Sequence, residues 1–142
     1  MHTRKTFQKL AQTRLKEVKL LKTNKHYDSA AYLAGYVIEL ALKARICKIL
    51  KSNYPNKSGN IQKAYFTHNF DELLYLSALE NEFDKDKIDK TDLNANWSLV
   101  TGWSESWRYN PIGTKTKAEV EEIILALEDP TFGIFTWIKK RW

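Results

Sequence analysis

Tyr27-Asp28-Ser29-Ala30-Ala31-Tyr32-Leu33-Ala34-Gly35-Tyr36-Val37-Ile38-Glu39-Leu40-Ala41-Leu42-Lys43-Ala44 is the stretch that decides the fold. Ala30, Ala34, Val37, Ala41 and Ala44 recur at steps of three and four, so they share one side of an α-helix. Small side chains on that side let a neighbouring helix approach closely. Leu33, Leu40, Cys47 and Leu50 add bulk elsewhere, and the segment from Asp28 to Lys51 is apolar nearly all round. A helix of that kind belongs at the centre of a bundle. One line of it is polar: Asp28, Tyr32, Tyr36, Glu39 and Lys43. Glu39 and Lys43 form an i, i+4 pair in the favourable order. Tyr27-Asp28-Ser29 offers a cap at the start. Glu39, and Lys43 and Arg45 after it, rule the stretch out as a membrane span, which needs about 20 apolar residues.

Upstream, Phe7, Leu10, Ala11, Leu15, Val18 and Leu21 predict a helix over Arg4 to Thr23. Lys5, Lys9, Lys16 and Lys19 lie on its other side as a basic stripe, a solvated face that an RNA backbone could also follow. Arg14 falls among the apolar positions and calls for a buried acid such as Glu39. Downstream, Asn53 to Lys63 carries turn signals in Tyr54-Pro55-Asn56 and Ser58-Gly59-Asn60. A third helix is predicted from Phe70 to Phe83, capped by Thr67, His68 or Asn69. The mixed charges from Asp84 to Lys90 suggest a solvated connector. A fourth helix starts at Thr91-Asp92 and carries Leu93, Trp97, Val100, Trp103 and Trp107. Pro111 and Gly113 punctuate a loop from Arg108 to Thr114. A fifth helix spans Lys117 to Glu128, and Pro130 restarts the chain as the first residue of a final helix through Ile134, Phe135, Trp137, Ile138 and Trp142.

The expected fold is therefore all-α, an up-down bundle of five to six helices in one domain over residues 1–142. The scarcity of glycine (5) and proline (3) agrees with it. The net charge of +6 is uneven. The first 25 residues are strongly basic, with Glu17 alone opposing them, whereas Glu80 to Asp92 is rich in acids. Such asymmetry suits a nucleic-acid or acidic-protein partner. Cys47 cannot pair internally and reads as a buried structural thiol. A single cysteine and a polar, basic N-terminus without an apolar core region point to the cytoplasm, with no membrane association. No Cys/His/acid cluster has metal-ligand spacing, and no phosphate-binding glycine loop or nucleophile elbow is present, so neither metal nor cofactor is expected. The tryptophans (Trp97, Trp103, Trp107, Trp137, Trp142) are mostly core, with a partner surface as an added role.

Three blocks resemble HEPN domains: Phe7-x-x-Leu10-Ala11-x-x-Arg14-Leu15; Tyr27 to Tyr36 followed by Glu39-Leu40-Ala41-Leu42-Lys43-Ala44; and His68-Asn69-Phe70-x-x-Leu73-Leu74 before a Trp-rich helix ending in Trp107-Arg108-Tyr109. The resemblance covers nearly the whole chain. It implies a helical bundle, often a homodimer, commonly encoded with a nucleotidyltransferase-type protein in toxin–antitoxin or defence pairs. It also implies, for active members, metal-independent RNA cleavage by an arginine followed four to six residues later by a histidine. There the histidine transfers protons and the arginine stabilises phosphorane charge.

This chain departs from that signature. Its histidines are His2, His26 and His68, and Arg108 is followed by Tyr109, Asn110, Pro111, Ile112, Gly113 and Thr114. Arg108, Tyr109 and Asn110 are candidates to hold a phosphate or nucleotide, with Glu39 and Lys43 shaping the cleft. Against this stands a structural role in which Arg108 satisfies helix carbonyls and pairs with Glu39. His68 reads as a capping or packing residue. The leading expectation is a catalytically silent, dimeric binding or regulatory module for a partner protein, a nucleotide or RNA. The alternatives are an RNase whose proton-transfer group is non-standard or partner-supplied, and a helical adaptor without a ligand.

Overall fold

Helix α2 runs from Tyr27 to Leu50, one residue from the predicted start and one from the predicted end. The computed structural model describes residues 2–53 and 66–142. Around α2 lie α1 (Arg4–Thr23), α3 (Phe70–Leu76), α4 (Glu80–Asp89), α5 (Thr91–Thr101), α6 (Lys117–Glu128) and α7 (Ile134–Lys139), with a 3₁₀ turn at Glu105–Tyr109. All described regular elements are helical, seven α-helices against the five or six expected. The loop expected over Asn53 to Lys63 falls, apart from Asn53, outside the described residues.

α2 packs against α1, α3, the 3₁₀ turn, α6 and α7, so it is the shared wall of the bundle. Its small face explains the closeness of α1. Ala30, Ala34, Val37, Ala41 and Ala44 are buried, as are Phe7, Ala11, Leu15 and Val18 of α1, which packs against α2. α1 is capped by Thr3, whose hydroxyl accepts from the Thr6 amide at 3.1 Å. Arg14 does not reach a buried acid. It lies half-buried and binds both carboxylate oxygens of the adjacent Glu17, at 2.7 and 3.0 Å. A partner three residues away costs less chain ordering than one across the bundle.

The third predicted helix is two helices. α3 is capped by Asn69, which accepts from the Glu72 amide. It stops at Leu76, and the chain turns through Ala78 at φ 59°, the left-handed region that an alanine seldom adopts. Buried Ser77 makes the corner: its hydroxyl donates to the Leu74 carbonyl at 2.6 Å, and its own carbonyl accepts from Arg45. The chain then resumes as α4. The predicted connector from Asp84 is helical as far as Asp89, with acids in its first turn and Lys87 in its last, as the macrodipole favours. Its buried anchor, Phe83, meets Trp97 and Trp137 edge-on at 5.0 and 4.8 Å. Asp86 accepts the Trp137 indole N–H at 2.7 Å.

Two further expectations change. The Trp-rich helix, α5, ends at Thr101, so Trp103 and Trp107 lie beyond it, Trp107 in the 3₁₀ turn. Pro130 occupies a turn ahead of α7, which Gly133 precedes. α6 has the predicted bounds and a reciprocal capping box between Thr116 and Glu119. Cys47 is buried, as read. No helix among the described residues is long and apolar enough to cross a membrane.

Candidate functional site

The polar line of α2 gathers the site. Asp28, Tyr32, Tyr36 and Glu39 each meet a later segment, and Lys43 is held by Glu39. Asp28 is not a cap for α2, whose N-cap position is His26 with no side-chain cap bond. Its carboxylate instead accepts the amide N–H of Gly113 at 2.7 Å and of Lys115 at 2.8 Å. That clamp fixes the loop after the 3₁₀ turn, where Gly113 sits at φ 89°. Lys115 then places its ammonium 3.8 Å from the centre of the Trp107 ring, a cation–π contact. Asp28→Ala strips both amides of their acceptor. The expected cost is about 1–2 kcal/mol in urea unfolding, together with chemical-shift changes at Gly113 and Lys115. A stability loss without those local shifts counts against the clamp.

One turn along, the Tyr32 and Tyr36 hydroxyls hydrogen-bond at 2.9 Å. Trp103 donates its indole N–H to the Tyr32 carbonyl at 2.8 Å and stacks on the Tyr32 ring. It meets Tyr36 edge-on at 5.3 Å. Trp103 can lie there because α2 carries Gly35 beneath it. Partial burial drives the Tyr36 phenol pKa well above its ordinary value, and the Tyr32 hydroxyl and the Glu39 charge push the same way while Arg108 opposes them. Tyr36 therefore stays neutral and serves as a hydrogen-bonding spacer.

Next is a buried carboxylate, and its partners differ from those predicted. Glu39 and Lys43 are both 4% exposed. One Glu39 oxygen accepts from the Lys43 ammonium at 2.7 Å, and the other lies 2.7 Å from His68 Nδ1. His68 Nε2 in turn faces Glu105, the first residue of the 3₁₀ turn, at 3.1 Å. Arg108 does not pair with Glu39. It stands exposed, with its guanidinium 4.9 Å from the centre of the Tyr109 ring. The Tyr109 hydroxyl, and after it that of Tyr32, raise its pKa, so the charge is permanent.

The candidates thus fall into separate groups. Arg108 and Asn110 line a groove of about 360 Å³, with Asp28, Ser29, Tyr32, Trp107 and Ile112. Tyr109 stands beside Arg108 and is largely exposed. Glu39 and Lys43 are absent from the groove lining; they are buried beneath the Tyr36–His68 contact. Lys5, Lys9, Lys16 and Lys19 are exposed on α1, and Lys19 is ion-paired with Glu128 at 2.5 Å. None of the four lines the groove. Asp28 and Tyr32 as groove walls, and the His68–Glu105 contact, were not read from the sequence. The four-residue spacing of Asp28, Tyr32 and Tyr36 signalled a shared line, but no local pattern signals Glu105.

Chemically, the groove offers a permanent cation, aromatic walls and an amide side chain. The Asp28 carboxylate on its wall is turned to the backbone N–H groups of Gly113 and Lys115. A phosphate group suits Arg108, and a base suits the Tyr32, Tyr109 and Trp107 rings. No histidine lines the groove.

Comparison with known proteins agrees with the architecture. Residues 6–129 match the family model of the HEPN domain. Neither the curated proteins nor the solved structures gave a match. With an all-helical bundle built round α2 and a family match spanning most of its length, the chain belongs to the HEPN domain family.

Proposed function

We propose that this HEPN domain is a binding and regulatory module that recognises a phosphate-bearing ligand, RNA or a nucleotide, at Arg108 without cleaving it. The observation that carries this reading is the pairing of an exposed, permanently charged Arg108 with a groove lined by no histidine. His68 has both ring nitrogens against carboxylates, which leaves neither directed at a bound phosphate. Tyr109 beside the groove and Ile112 on its lining are largely exposed to solvent. Exposed apolar side chains in that position support a homodimer, or a nucleotidyltransferase-type partner of a toxin–antitoxin or defence pair, closing over it.

The test is labelled single-stranded RNA in EDTA, followed by anisotropy for binding and by gel for cleavage. The native chain is expected to bind without cutting. Arg108→Ala is expected to weaken binding about tenfold or more. The helix signal is expected to stay unchanged and the melting temperature to move little, because Arg108 is exposed. Arg108-dependent cleavage would instead establish a metal-independent RNase. Equal binding by both proteins removes Arg108 from the site.

A further inference from the structure

Three stretches of this chain contain no aspartate or glutamate: residues 1–16, 40–70 and 130–142. The fold brings cations from all three to one end of the bundle. Arg4, the first residue of α1, donates to the Trp142 carbonyl at 2.5 Å. Arg45 and Lys48, near the end of α2, both donate to the Arg141 carbonyl, at 2.9 and 3.1 Å. Burial is the main cause that lowers the Arg45 pKa; Glu82 opposes the fall, and the Arg141 and Arg4 charges add to it. Glu82 is itself engaged by Arg141 at 2.8 Å, and Asp86 faces Arg141 at 3.5 Å.

Between the start of α1 and the end of α2 lies a groove of about 370 Å³, lined by Arg4, Cys47, Lys48, Lys51, Ser52 and Asn53. Lys48 and Lys51 are exposed, and Arg4 is partly buried. Among the described residues no side-chain carboxylate pairs with any of these three cations. Arg4 Nε has no hydrogen-bond partner among the described residues, so part of the donor capacity of the guanidinium is unused. Lys51 stands at φ 50°, where its amide closes α2 on the Cys47 and Lys48 carbonyls. That corner favours glycine or asparagine, and here it carries a charge.

We propose that the groove between Arg4, Lys48 and Lys51 is a second anion site, which binds the phosphate group of a phosphorylated ligand. A guanidinium, two ammonium groups and the Ser52 hydroxyl offer many donors and no negative charge. A phosphate group has more acceptor oxygens than a carboxylate and as much or more charge, so it satisfies more of them. The site is separate from the Arg108 groove. No residue lines both, and they meet α2 at Asp28 and at Lys48, about 30 Å apart along the helix at roughly 1.5 Å per residue. The phosphate belongs either to a small molecule or to a nucleic-acid backbone, and the test separates the two.

The test is NMR titration of the whole chain at constant ionic strength. One probe is inorganic phosphate; the other is a 2′-O-methyl tetranucleotide that carries phosphodiesters alone. The amides of Lys48, Lys51, Ser52 and Asn53 are expected to shift saturably with at least one probe, and the tighter probe names the source. Lys48→Gln with Lys51→Asn removes two charges while keeping side-chain donors, and asparagine suits the backbone at position 51. Both positions are exposed, so the helix signal is expected to hold. The double variant is expected to bind about tenfold more weakly. Lys51→Asn alone leaves the Lys48 hydrogen bond to Arg141 in place and gives a second, smaller loss. Arg108→Ala is expected to leave these shifts as they are.

The absence of a saturable shift with either probe overturns the proposal. Shifts that persist in the double variant, or that vanish in Arg108→Ala, overturn it as well, since they then arise elsewhere. Hexaglutamate supplies the last arm: if it binds at these amides as tightly as the better phosphate probe, the groove is a docking point for an acidic protein surface and not a phosphate site. None of these outcomes decides whether RNA binds at Arg108, which the anisotropy measurement tests by itself.

Discussion

Glu39→Ala is expected to remove about 3–5 kcal/mol of unfolding free energy at pH 7. Glu39 and Lys43 are both 4% exposed, so solvent screening does not reduce their interaction to the level of a surface pair. Truncating Glu39 takes the carboxylate from the Lys43 ammonium at 2.7 Å and from His68 Nδ1 at the same distance. Removing one member of a buried ion pair costs far more than the net worth of the intact pair. For a chain of 142 residues this corresponds to a fall in melting temperature of roughly 10–15 °C. Replacing both partners by apolar residues of similar volume, Glu39→Leu with Lys43→Met, is expected to recover most of the loss, since both buried charges are removed together. The measurement is urea unfolding of the two single variants and the double. A double variant as unstable as Glu39→Ala would mean that the space, not the charge balance, sets the cost.

The same carboxylate shows how far the sequence could be read. Its place on a polar line of α2 follows from spacing, and so does its pairing with Lys43, because both depend on three- and four-residue steps along one helix. The bounds of α1 and α6 were legible from periodicity, and the structure adds the caps that start them, Thr3 in one and the Thr116–Glu119 box in the other. What Glu39 meets across the bundle was not legible. Arg14, Arg108 and His68 were all available partners. The choice fell to His68 because the corner before α3 brings residue 68 against α2, while Arg14 found Glu17 one turn away. The break at Ser77-Ala78 was hidden for a related reason. Nothing in the propensity of alanine announces a left-handed corner; the corner is held by Arg45 and the buried Ser77, a contact 32 residues apart in sequence. The groove was half legible. Arg108 and Asn110 carry their chemistry in their residue types, but Asp28 and Tyr32 enter through the fold.

Gly35→Ala is expected to destabilise the chain by about 3 kcal/mol and to disorder the groove, against the usual benefit of alanine in a helix. In an open helix the exchange gains roughly 1 kcal/mol. Here an added Cβ would lie 2.1 Å from Trp103 Cε2 and 2.2 Å from Cδ2, well inside contact distance and against a rigid ring. The ring has little room to retreat. It is stacked on Tyr32, edge-on to Tyr36, 5.6 Å from the Phe70 ring, and tied by its N–H to the Tyr32 carbonyl. The variant must therefore expel the indole or separate α2 from the segment that follows α5. Either change moves Tyr32, a wall of the Arg108 groove, so RNA or nucleotide binding is expected to fall with stability. Trp103→Leu in the Gly35→Ala background supplies the control: the smaller, flexible side chain accommodates the methyl group, and the double variant is expected to be less unstable than the sum of the two single changes. Strict additivity would show that Gly35 and Trp103 do not act on one another. If the close approach is what sets the position of the ring, the indole emission of Gly35→Ala shifts to the red as Trp103 meets water, before any unfolding transition begins.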